Sequence, residues 1–341
     1  MPSHNTGLTD EPVGMSDIAA AAGVAVSTVS RALSGARGVG AARRAQIMQI
    51  ALDLGYLSPV GNTPERPVPA RQARITAVTP ESDRWIFGSI LAGLHDVLAP
   101  AGSSLNMLQG LSASDRVRLL ADSDPDADLL VLVPAPPDLT PEQIRAVRRV
   151  PLVVAGSLLP GIPSVGIDDV AVGEKATNHL VNLGARRVAY VYYGDHDGSL
   201  GVATENRRQG YRRAIARAGL EPWEVEVPFG EGAGREAAET LLASDSLPPG
   251  IFCASDEMAA QMMAVFRQAG VTAPRDFSII GVDDHPIAGM LGLTTIAQSA
   301  REQGRAAATL ALRLLRGEQP TEAIALPTRL VVRETTRRME P

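Results

Sequence analysis

Ser27, Thr28 and Ser30, followed by Arg31, place three short hydroxyls and one guanidinium within five residues. Short hydroxyls suit contacts to phosphate oxygens or base edges, and an arginine fork matches the O6 and N7 acceptors of guanine. Such contacts need a helix whose first turn is presented outward. The stretch SDIAAAAGVAVSTVSRAL, residues 16–33, can supply it. Ala19 is small enough for two helices to cross closely, and Gly23 can take the left-handed backbone of a sharp turn. Val24 and Val29 can pack beneath that turn. The spacing is that of a helix-turn-helix, which sets its second helix in the DNA major groove.

A second group of residues suits a small molecule. Trp85 and Phe87 follow the apolar strand ITAVTP. Aromatics at a strand's carboxyl end can stack on a sugar ring or a base, or pack on their own lobe. Asp283 closes the strand FSIIGVDD, where a carboxylate accepts paired hydrogen bonds from neighbouring ring hydroxyls. Asp284 is the more natural helix N-cap. Gln298 in LTTIAQ is a further ligand candidate.

The elements that would carry these groups fall into distinct regions. Residues 1–13 are polar and hold Pro2, Gly7 and Pro12, as expected of a disordered tail. Three apolar-periodic stretches, Met15–Ala22, Val26–Ser34 and Ala41–Leu54, predict an all-α domain over residues 14–57. Pro59, Pro64, Pro67 and Pro69 then mark residues 58–73 as a linker. From residue 74 to 341, short apolar strands alternate with helical stretches. This is an α/β pattern with more strands than one sheet holds, so it predicts two doubly wound parallel sheets. Ligands of such sheets gather outside the carboxyl ends of the strands.

The residue order of the first region resembles the DNA-binding head of the lactose-repressor (LacI/GalR) family of transcription regulators. Asp17, Ile18, Ala19, Ala22, Gly23, Val24, Thr28, Val29, Ser30, Arg31 and Leu33 fit that family's pattern, and Leu54–Tyr56 ends the third helix at its spacing. The resemblance continues through VGIDDVAVGEKATNHLVNLGARRVAYV, ENRRQGYRRAIARAGL, IFCASDEMAAQMMAVFRQAGV and PRDFSIIGVDDHPIAGM. These segments look like the family's ligand-binding core, itself similar to periplasmic sugar-binding proteins. The resemblance implies base-reading roles for Val26, Ser27 and Arg31 and phosphate contacts for Thr28, Ser30 and Ser34. It also implies a ligand role for Arg207, three residues before Gly210–Tyr211, for Phe229 as a stacking ring, and for Ser255, where the family commonly has Asn. Surface positions are expected for Arg208, Arg212 and Arg213.

The implied architecture is a two-lobed core. One lobe spans about 74–167 and 298–326, the other about 168–297 and 327–341. The implied function is a regulator, a repressor first, whose affinity for a near-palindromic double-stranded operator is set by a small molecule between the lobes. A sugar or sugar derivative is the first expectation, and a purine nucleobase or other small polar corepressor the alternative. A homodimer is expected, with Leu310–Leu315 serving either its interface or the core. Another alternative is a binding protein with a degenerate head.

Three departures from the family pattern bear on this. Ala25 replaces the usual Ser N-cap, and Gly14 the Thr that opens the first helix. The proline-rich stretch lacks the hinge-helix motif that wedges the minor groove, save Ala70–Arg71. In the core, Gly156–Ser157 stand where the family often places a sugar-binding Asp.

Catalytic signatures are missing from the sequence: there is no P-loop, no HExxH and no nucleophile elbow. No enzyme activity, cofactor or metal is therefore expected. Asp195, His196 and Asp197 read as a polar loop after a strand. The single Cys253 excludes an intrachain disulfide and a cysteine-built zinc site. A net charge of −6 excludes a chain that coats DNA along its length, though not a local basic patch. No apolar run is long enough to span a bilayer, and the N-terminus lacks a secretory pattern, so a cytoplasmic, nucleoid-associated protein is expected. A transport receptor would need an export signal.

Overall fold

The computed structural model describes residues 15–33, 39–40, 43, 46–47, 50–51, 73–80, 84–122, 126–136, 139–147, 150–194, 203–230 and 232–339. The expected tail, Ser34, the prolines of the expected linker and the loop bearing His196 lie outside them. The chain forms two compact units, residues 1–68 and 69–341.

In the first unit, α1 (Met15–Ala22) and α2 (Val26–Leu33) frame the turn. Gly23 has φ +63°, and Val24 N–H donates to Ala19 O at 3.0 Å, closing the first helix. Ala25 offers no side-chain cap, yet its carbonyl accepts from Thr28 and Val29 N–H at 2.8 and 3.2 Å, so α2 still starts at Val26. Ile18, Ala19, Ala22, Val29 and Ala32 are buried together with Ile47 and Ala51, both helical, from the third predicted stretch.

The second unit holds two six-stranded sheets. The first contains β1 (Arg74–Thr79), β2 (Ser104–Gln109), β3 (Leu129–Leu132), β4 (Leu152–Ala155), β5 (Ser164–Ile167) and β11 (Ala323–Leu326), in the order β11-β5-β4-β3-β1-β2, all parallel. The second contains β6 (Val188–Gly194), β7 (Trp223–Pro228), β8 (Gly250–Cys253), β9 (Ser278–Asp283), β10 (Thr294–Ala297) and β12 (Arg329–Val331). Its order is β12-β10-β9-β8-β6-β7, with only β12 antiparallel. The central strands are buried along their length, as parallel strands covered on both faces must be.

Helices α3 (Trp85–Leu98) and α11 (Ala300–Leu315) cover one face of the first sheet, while α4 (Ala113–Ala121) and α5 (Pro141–Val147) pack on the other. On the second sheet, α6 (Asp169–Asn182) and α7 (Ala203–Arg217) lie on one face. The opposite face carries α8 (Ala233–Leu242), α9 (Asp256–Gln268) and α10 (Pro286–Met290).

The chain crosses between lobes after β5, after β10 and after β11. At the last crossing, Lys175 Nζ donates to the carbonyl and hydroxyl of Thr328 at 2.7 and 2.9 Å.

The sequence pattern did not single out β7, β11, α5, α8 or α10. Strand β7 lies at a sheet edge, and its alternating Glu224 and Glu226 make it read as polar. Helix α3 begins at Trp85, earlier than the apolar periodicity from Ser89 suggests. Trp85 and Phe87 are therefore helix residues rather than strand-end loop residues. Leu310 is buried, and Leu312, Leu314 and Leu315 pack against the same core, which supports the core reading of that stripe.

Candidate functional site

On α2 of the first unit, Val29 and Ala32 point inward and anchor the helix. Val26, Ser27, Ser30 and Arg31 are exposed, and Thr28 is half-buried. Arg31 Nε donates to Ser27 O at 3.1 Å, laying the guanidinium back along the helix surface. One helix face thus presents a bare apolar group, three hydroxyls and a cation, the set required for backbone and base-edge contacts.

In the second unit, a pocket opens between the lobes. Arg207, Ser255, Asp283, Gln298 and Phe87 all line it. Arg207, on α7, is buried; its Nε donates to Asp169 Oδ1 at 2.8 Å and its Nη1 to Ala254 O at 2.6 Å. Burial works against its charge, but Asp169 and Asp283 hold it firmly protonated. Asp169 was not expected from sequence. It sits one residue inside the N-terminus of α6, and Asp168 caps that helix by accepting from Ala171 N–H at 2.9 Å.

Asp283 ends β9 with φ +116° and is followed by Asp284 at φ +56°. Two successive non-glycine residues in this region indicate backbone held off its preferred geometry by its surroundings. Gln298 Nε2 donates to Asp283 Oδ1 at 2.6 Å, and Gln303 Nε2 donates to Gln298 Oε1 at 2.8 Å. Burial pushes the Asp283 carboxyl up to about 6, against the opposing pull of Arg207 and the Gln298 hydrogen bond. Asp284 is not the N-cap expected from sequence: it pairs with Arg333 at 2.5 Å, and His285 Nδ1 caps α10 by accepting from Ile287 N–H.

Ser255 caps α9, its Oγ accepting from Met258 N–H at 3.2 Å and lying 3.3 Å from Tyr193 Oη. Its hydroxyl is therefore shared between structure and cleft. The lobe 1 wall is largely apolar, with Ile86, Phe87, Ile90 and Pro134 and with Gly156 in the place of a polar anchor, and its polar groups are Arg84, Gln298 and Gln303.

Two expected rings are not in the lining. Trp85 packs edge-on against His285, centroids 5.2 Å apart. Phe229 meets Tyr193 edge to face at 5.4 Å and is covered by the Arg84 guanidinium, 4.9 Å from its centroid. Arg208 and Arg212 pair with Glu224, and Arg213 and Arg217 with Glu174, away from the cleft. The sequence offered no signal for Arg84 or Tyr193, since neither stands in a recognisable motif.

Among the described residues, no group of His, Cys, Asp and Glu is placed to hold a metal, and no helix is long and apolar enough to cross a membrane.

A helix-turn-helix and a bilobed cleft on one chain define a ligand-responsive transcription regulator. Two family models agree with the two units: "Bacterial regulatory proteins, lacI family" matches residues 14–58, and "Periplasmic binding protein-like domain" matches residues 177–336. HTH-type transcriptional regulator CelR of Thermobifida fusca is 31% identical, with 93% of this chain and 96% of that protein covered. HTH-type transcriptional repressor CytR of Escherichia coli K12 is 30% identical, covering 95% and 96%. A CelR–cellobiose complex superposes with a TM-score of 0.66 at 28% identity, covering 95% and 99%. The lac repressor dimer bound to operator and an anti-inducer shares the fold, with a TM-score of 0.68 at 24% identity, covering 96% and 100%. The chain belongs to the lacI family of bacterial regulatory proteins.

Proposed function

We propose that this chain is a cytoplasmic, homodimeric transcriptional repressor, without enzymatic activity, that binds a near-palindromic operator and answers to a sugar or sugar derivative. Residues 14–57 form the DNA-binding head, 58–73 the linker and 74–341 the core. Val26, Ser27 and Arg31 read bases; Thr28 and Ser30 hold phosphates, and Ser34 joins them from outside the described residues.

The observation that carries the effector reading is the hydrogen-bonded set Asp169–Arg207 and Asp283–Gln298 facing one cavity. Fixed, buried donors and acceptors beside the apolar surface of Phe87, Ile90 and Pro134 suit a neutral polyhydroxyl ring, polar at its edge and apolar on its face. The CelR–cellobiose complex supports a carbohydrate. Ligand favouring one spacing of the lobes would shift operator affinity by its differential affinity for the two states.

The test is a selection of DNA fragments by purified protein at fixed salt, repeated with candidate sugars. A near-palindromic consensus that sugar weakens or strengthens supports the reading; no enrichment under any condition means a head without operator function. Arg31→Ala should weaken specific binding by about 1–3 kcal/mol and relax selectivity at one base pair.

A further inference from the structure

Among the described lining residues, Arg84 is the one charged side chain that lobe 1 sends into the cleft, and it does not stay with its own lobe. Its Nη2 donates to Glu257 Oε2 of α9 at 2.7 Å, and only 17% of the side chain is exposed. The guanidinium lies 4.9 Å from the Phe229 centroid and 5.2 Å from that of Tyr193. A planar, weakly hydrated cation is attracted by ring faces and pairs well with a carboxylate, so two aromatic rings and Glu257 form a box of matching chemistry. The next residue crosses as well: Trp85 rests on His285. Two consecutive lobe 1 residues thus close one end of the cleft onto lobe 2.

We propose that Tyr193, Phe229 and Glu257 form a subsite for a planar organic cation, that the chain's own Arg84 fills it from the opposite lobe, and that this contact holds the lobes together without a small molecule. The Phe229 face then becomes available only when Arg84 withdraws. A ligand carrying a guanidinium or amidinium competes with Arg84 for the box, whereas a neutral ring sits beside it. The reading of the cleft as the effector site matters here only for what the latch regulates.

Trp85 and Trp223 are the only tryptophans in the chain, so Trp223→Phe leaves Trp85 as a reporter of this rim. In that full-length background without ligand, Arg84→Ala should move Trp85 emission to longer wavelength as the ring meets water. Glu257→Gln should move it the same way by less. Emission unchanged in both variants overturns the latch.

Methylguanidinium is the probe of the box. By titration calorimetry it should bind Arg84→Ala with an affinity on the order of millimolar and lose about tenfold or more when Glu257→Gln is added. It should not bind the parent. Equal binding to parent and Arg84→Ala, or no binding to either, overturns the subsite. Neither readout uses operator or sugar, so a failure here is distinct from a failure of the effector reading.

Discussion

The two lobes of the core are built alike and lined differently. Each sheet runs in the same order, with its second strand at one edge and a late strand added at the other. Each has a pair of helices crossing at glycine on glycine: Gly93 against Gly304 in α3 and α11, Gly173 against Gly210 in α6 and α7. A Cβ on any of the four would lie 2.0–2.1 Å from a carbonyl oxygen of the facing helix. Yet lobe 2 faces the cleft with the ionisable Asp169, Arg207 and Asp283 beside Ser255, while lobe 1 offers Phe87, Ile90 and Pro134, the neutral Gln298 and Gln303, and the reaching Arg84. The shared parts answer to backbone packing, which tolerates almost no change. The differing parts answer to a ligand, with most of the charge on one wall and most of the apolar surface on the other.

The largest expected effect tests that asymmetry. Arg207→Met strands Asp169 in a buried site and should cost about 3–5 kcal/mol in urea unfolding. A cost no greater than that of an exposed pair would erase the distinction between the walls. Gly304→Ala and Gly210→Ala should each cost about 1–3 kcal/mol, because helix backbones rather than flexible tips must move. Markedly unequal costs, measured in the same way, would break the structural equivalence of the two crossings.

The pH dependence sharpens the contrast further. Asp283 is held near 6 and Asp256 near 8, both raised chiefly by burial, against an unfolded value of about 4. A raised carboxyl binds its proton more tightly when folded, so stability falls as pH rises from about 4 through the folded value. Asp283→Asn should lessen the fall between about 4 and 6 and, by removing a neighbouring charge, also bring the Asp256 value down, while the burial of Asp256 keeps part of the fall above 6. An unchanged slope in denaturant midpoint against pH would mean that the lobe 2 wall is wetter than its geometry implies. Smallest of all, Arg301→Met removes a solvent-side pair with Asp96 in lobe 1, screened by water, and should leave the denaturant midpoint nearly unchanged.

Much of this was legible in the residues. The first two helix positions, the Gly23 turn and the inward Val29 follow from local chemistry and periodicity. The strands that are buried on both faces announce themselves as apolar runs. Arg207, Ser255, Asp283 and Gln298 were expected as ligand residues and line one cavity, as Phe87 does from the N-terminal part of a helix rather than from a loop. Trp85 and Phe229 were placed in that group too, and they lie beyond the lining. The partners they meet are His285 and Arg84, which are 200 and 145 residues away in sequence.

What the sequence determined alone is what short-range rules govern: the helix-turn-helix, the alternation of strand and helix, and the place of Asp283 at the end of its strand. Those depend on neighbours within a turn or two of chain. The tertiary structure alone decided which partners the charged groups take. Asp169 meets Arg207 across 38 residues, Arg84 meets Glu257 across 173, and Lys175 meets Thr328 across 153. The Arg84–Glu257 pair arises only when two separately wound sheets close on one another, and the other two form when distant stretches of chain pack within lobe 2. No local pattern encodes them, because each partner's own neighbourhood is compatible with a solvated charge.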